Sequence, residues 1–136
     1  MTDLEPGIAP LVAALNETGV VQTFSSCEGH FGPEDQRLRD RNHAEVRFLP
    51  APGTSVAAVE QWLGTLLTGF KISHGLLPVS VVGYKLFTPL DEATVEETYV
   101  LELRPFNRFD LPATKRTDVD RAVGQLVALV LAGKHL

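Results

Sequence analysis

A chain of 136 residues, 44% hydrophobic and 21% charged, is long enough for a single domain spanning 1–136 to bury a core without disulfides or metals. Its net charge of −5 argues against general nucleic-acid binding, which draws most of its affinity from a basic face and the counterions that face releases. The lone cysteine fits a reducing compartment, the acidic start M-T-D-L-E-P-G lacks the apolar stretch of a signal peptide, and the longest apolar run, Leu126 to Ala132, falls far short of the roughly 20 residues that span a bilayer; a cytoplasmic location with no membrane partner is the expectation.

Pro10 suits the first turn of a helix, Leu11, Val12 and Leu15 supply its apolar face, and Gly19 is a natural left-handed stop, so the pattern predicts a helix over 10–18. Val20 to Ser26, rich in valine, threonine and phenylalanine, reads as a strand. Residues 31–42, F-G-P-E-D-Q-R-L-R-D-R-N, are polar and open on a Gly-Pro break, which predicts an exposed loop. Arg37, Arg39 and Arg41 recur there with a period of two. Glu34, Asp35 and Asp40 offset their charge, so a solvated loop is the plainer expectation and an anion-catching lid the sharper one.

In His43 to Leu49, Ala44, Val46 and Phe48 alternate with Glu45 and Arg47, the pattern of a strand with one covered face. Pro50, Pro52 and Gly53 close it. Thr54 or Ser55 then caps a second helix on which Val56, Val59, Trp62, Leu63, Leu66, Leu67 and Phe70 share a face, Trp62 among the core, with Gly69 or Gly75 at its end. Val79 to Phe87 and Val95 to Arg104 form two further strands about the turn-like T-P-L-D-E. Residues 105–116 read as irregular, and Thr117 with Asp120 resembles a capping box that starts the final helix. On that helix Ala122, Val123, Leu126, Val127, Leu129, Val130 and Leu131 sweep roughly 200°, against a stripe of about 100° for a surface helix.

The order α-β-β-α-β-β-α predicts an α+β two-layer sandwich: about four mainly antiparallel strands with helices on one face. The over-wide last helix, or the open sheet face bearing Val82 and Val100, suits self-association as a homodimer; deeper burial within the monomer is the alternative.

The distinctive chemistry lies where the first strand ends, in Ser25, Ser26, Cys27, Glu28, Gly29 and His30. If the first two strands pair as a hairpin, His43 and Glu45 enter beside them, and these residues form the candidate ligand site. In one reading Cys27 is a nucleophile with His30 or His43 as its base. In a second, Cys27, His30 and His43 bind zinc with Glu45 or His74, although a single C-x-x-H is a weak signal. In a third the turn is structural: a buried small thiol, a permissive Gly29, and serines bonded to nearby backbone.

S-S-C-E-G-H, following a short helix, a glycine and a β-run, resembles a group of small uncharacterised bacterial proteins carrying a Ser-Cys-Glu-Gly-His motif. It is more distantly similar to the wybutosine-synthesis methyltransferase family, which modifies tRNA using S-adenosylmethionine and carries Ser-Ser-Cys-Ser-Gly-Arg at a comparable strand end. Ser25, Ser26, Cys27 and Gly29 match that pattern; Glu28 and His30 depart from it. The resemblance implies a related α+β scaffold with the Cys27 turn near a ligand site.

Elsewhere, Arg104, Phe106, Arg108 and Phe109 interleave cations and aromatics, as a stacking surface does, but such loops more often pin their aromatics into the core. Lys71, Ser73 and His74 are candidates to border the same pocket. There is no P-loop and no G-x-G-x-x-G. The sequence therefore points to a non-catalytic homodimeric module with a ligand or partner pocket at the Cys27–His30 turn. The alternatives are an enzyme, either S-adenosylmethionine-dependent or a thiol or metal hydrolase, and a nucleic-acid-associated regulator; the residues themselves name no cofactor.

Overall fold

The computed structural model describes residues 4–29 and 43–133, so His30 and the expected loop at 31–42 lie outside the described residues. The elements run α1 (Ala9–Glu17), β1 (Val21–Cys27), β2 (Ala44–Pro50), α2 (Val56–His74), β3 (Val79–Pro89), β4 (Val95–Pro105) and α3 (Pro112–Gly133), the predicted α+β order. Local chemistry sets most of their ends. Gly19 turns the chain out of α1 at φ +73°, and Thr18 braces the turn, donating to the Leu15 carbonyl at 2.6 Å and accepting from Val20 N–H at 3.1 Å. Ser55 caps α2 by accepting from Ala58 N–H at 3.1 Å, and Gly75, at φ +74°, ends it with its own N–H on the Lys71 carbonyl.

The strands form one antiparallel sheet in the order β1-β2-β4-β3. Its inner face carries Val21, Val46, Phe48, Val81, Tyr99 and Leu101, all buried against the helices. Phe48 anchors this layer, stacked on Tyr99 at 5.7 Å and meeting Trp62 edge-on at 6.2 Å, so Trp62 borders the core while half-buried itself. Gly83 lets α2 sit close to β3: a Cβ there would lie 3.0 Å from Leu63 Cδ2 and 3.1 Å from Leu67 Cδ1. At the β1 edge Asn16 Oδ1 accepts the Thr23 N–H at 2.9 Å, occupying a backbone donor that would otherwise invite another strand.

The wide apolar arc of α3 follows from its central place. It packs on α1 along one flank, on α2 along the other and on β4 and β3 beneath, burying Val119, Ala122, Val123, Leu126 and Val130. The helix also begins earlier than the sequence predicts, at Pro112 rather than Thr117. Thr117 caps nothing; its hydroxyl donates to the Ala113 carbonyl at 3.0 Å. Pro112 is compatible with a first turn, and Lys115 buries its stem there while Nζ donates to the Arg108 carbonyl at 2.6 Å.

No helix among the described residues covers the other face of the sheet. Register places Cys27, Glu45, Glu102 and Val82 in one row across it, and Ser25, Arg47, Val100 and Tyr84 in the next. Val100 is fully buried yet stands apart from the main core cluster, shut in by its neighbours on this outer face.

Candidate functional site

The hairpin of β1 and β2 brings Cys27 opposite Glu45, and the pairing of β2 with β4 brings Glu45 opposite Glu102. His43 reaches over both acids: its Nε2 lies 3.2 Å from Glu102 Oε1 and 3.4 Å from Glu45 Oε1. Each carboxylate also accepts from an arginine on its own strand, Glu45 Oε2 from Arg47 Nε at 3.0 Å and Glu102 Oε2 from Arg104 Nη2 at 2.9 Å. Glu102 is only 2% exposed, so its charge depends on these partners. Beside it, burial and then the Glu102 carboxylate push the Tyr84 phenol above its usual range. The result is a charge-balanced chain of two acids and two guanidiniums on two adjacent strands, β2 and β4, with the imidazole that precedes β2.

Cys27 sits at the end of this chain. Burial raises its thiol above the ordinary value; a hydrogen bond from the Gly29 backbone opposes the shift, and Glu5 and Glu45 push it further up. A thiol among carboxylates holds its proton, which is the reverse of what a nucleophile needs.

The rest of the S-S-C-E-G stretch is tied into the scaffold. The Glu28 N–H donates to Glu5 Oε1 at 2.9 Å, and Glu28 Oε1 accepts the Gly7 N–H at 3.2 Å. Arg116 on α3 places Nη1 3.5 Å from Glu28 Oε2 and from the Gly29 carbonyl, and Nη2 2.7 Å from Asp120. Gly29 is buried at φ +95°, a conformation that favours glycine. Glu28 thus clamps the end of β1 to the entry of α1 and to α3, an arrangement that supports the structural reading of this turn.

Of the sequence-derived residues, Cys27, Glu45 and His43 share the rim. Ser25 is exposed on the outer face opposite Arg47, Ser26 is half-buried opposite Val46, Glu28 and Gly29 form the clamp, and His30 lies outside the described residues. His74 does not join them. It stands at the end of α2, which packs on β3 at the opposite sheet edge, tilted against Phe70 at 5.0 Å. Among the described residues no group of three or more His, Cys, Asp or Glu is arranged to hold a metal ion. The expectation that Phe106 and Phe109 are pinned in the core is corrected: they are 64% and 70% exposed, with the Arg108 guanidinium 5.9 Å from the Phe109 ring.

Sequence reasoning missed Glu5, Gly7, Glu102 and Arg116. Nothing local to Glu102 announces its partners, and Arg116 lies in a stretch that reads as irregular. Comparison with known proteins finds no matching family model, no matching curated relative and no matching solved structure, so any functional reading of this rim rests on the chain's own residues.

Proposed function

We propose that the protein is a non-catalytic binding module that works as a homodimer, two copies meeting through their outer sheet faces while the rim at Cys27, Glu45 and His43 meets a small ligand or partner. The observation that carries this reading is the outer face itself, where Leu49, Val82 and Leu86 are half-buried and Tyr84 exposed around Val100, with no helix among the described residues laid over them. A two-fold axis is satisfied by a patch complementary to itself. On this patch the Glu45 carboxylate and the Arg47 and Arg104 guanidiniums keep solvent exposure, so both signs are presented to a second copy. The rim favours recognition over reaction because its acids already hold donors and its thiol is held protonated.

Sedimentation velocity over a range of concentrations tests this. The wild-type protein is expected as a dimer, and Val82→Glu, in the middle of the face, is expected to raise the dimer dissociation constant at least tenfold with its circular dichroism unchanged. A strict monomer at every concentration refutes the proposal. The order Ser25, Ser26, Cys27, Gly29 at a strand end favours one rival, an S-adenosylmethionine-dependent enzyme. Calorimetry with that compound at millimolar concentration decides it, and absence of binding removes it.

A further inference from the structure

We propose a second binding site, for a small zwitterion of the α-amino-acid class, in the cavity between the last turn of α2 and the middle of α3. The cavity holds about 300 Å³, at the small end of the roughly 300–1,000 Å³ typical of ligand pockets. Phe70, Leu77, Val79 and Ala122 give it an apolar lining, and Ser73, His74, Asp118, Arg121 and Gln125 bring polar groups to its wall. It lies on the flank of α3 that faces α2, away from the Glu28 clamp, which uses Arg116 and Asp120.

The charges select the ligand. Asp118 and Arg121 are one helical turn apart, with Oδ1 and Nη1 separated by 3.7 Å, well beyond the ~2.7–2.9 Å of a closed charge-assisted hydrogen bond. The Ser73 hydroxyl, the His74 ring nitrogens and the Gln125 amide make no hydrogen bond to another described residue. A simple anion on Arg121 would lie within a few ångströms of the Asp118 carboxylate, and a simple cation on Asp118 equally close to the Arg121 guanidinium, so a ligand of one sign meets repulsion along with its attraction. A molecule with both signs a few bonds apart satisfies both: its ammonium on Asp118, and its carboxylate on Arg121 with the Gln125 amide as a further donor. The apolar wall then takes the side chain.

The test is calorimetry and thermal denaturation of the purified protein with the standard free L-amino acids at millimolar concentration, alongside their N-acetyl and carboxamide derivatives. At least one free amino acid is expected to bind and raise Tm, and blocking either end is expected to weaken it at least tenfold. Arg121→Met and Asp118→Asn should each cost tenfold or more in affinity. Arg121 is 59% exposed, so its variant should keep the unliganded Tm. Val82→Glu, on the opposite side of the sheet, should leave this affinity unchanged, which separates the site from the dimer. The proposal is overturned if no free amino acid binds, if a blocked derivative binds as tightly as its parent, or if folded Arg121→Met retains full affinity.

Discussion

Replacing Glu28 with alanine removes the acceptor of the Gly7 N–H and the carboxylate facing Arg116, the two ties that join β1 to the entry of α1 and to α3. A carboxylate bonded to a backbone donor contributes about 1.5 kcal/mol when part-buried. The arginine pair, at 3.5 Å with both side chains about a quarter exposed, adds only about 0.5 kcal/mol after solvent screening. The expected loss is therefore about 2 kcal/mol, or roughly 8 °C in Tm at about 4 °C per kcal/mol for a chain of this length. Differential scanning calorimetry of Glu28→Ala, Arg116→Met and the double variant measures it, and the pair should show a coupling of about 0.5 kcal/mol. Gly7→Ala should also destabilise, because its Cβ would lie 3.2 Å from Glu28 Cβ and 3.3 Å from Oε2. If Glu28→Ala melts within a degree of wild type, the clamp is energetically idle and the structural account of the motif's glutamate fails.

Alkylation of Cys27 by iodoacetamide across pH should reach half its limiting rate above the free-thiol value of about 8.5, since burial and two carboxylates hold the proton on; a midpoint at or below that value contradicts the electrostatics. The same shift makes the thiol's contribution to stability complete below the ordinary thiol range and lost as pH rises through the folded value, because the unfolded chain ionises first. Arg104→Ala, which leaves the buried Glu102 carboxylate short of a partner, should cost about 2 kcal/mol in urea denaturation and more than Glu102→Gln, which leaves Arg104 half in water and His43 still beside Glu45; a larger cost for Glu102→Gln would refute this assignment of the buried charge. Phe48→Ala should lose about 3–5 kcal/mol and alter the emission of Trp62, the sole tryptophan, whose indole its ring meets edge-on.

What the chain states locally, it states clearly. The alternation of Ala44, Val46 and Phe48 with Glu45 and Arg47, the helical spacing from Val59 to Phe70, Ser55 at a helix start and Gly19 and Gly75 at helix ends are properties of a few neighbouring residues, and each appears where the sequence puts it. They suffice for the α+β order, while the pairing that sets Cys27 beside Glu45 entered the sequence reading only as a condition. The start of α3 was legible only in part, because its first turn is polar and Lys115 is buried through a bond to a carbonyl seven residues away.

Everything that depends on which strand lies beside which was decided by the tertiary structure. The order β1-β2-β4-β3 sets Glu102 against Glu45 and under His43, and the docking of α3 brings Arg116 to Glu28 and Asp118 with Arg121 to the end of α2. Periodicity says which side of a strand or helix a residue occupies. The groups that share that side come from distant parts of the chain, and they are chosen by how the apolar layers close on one another.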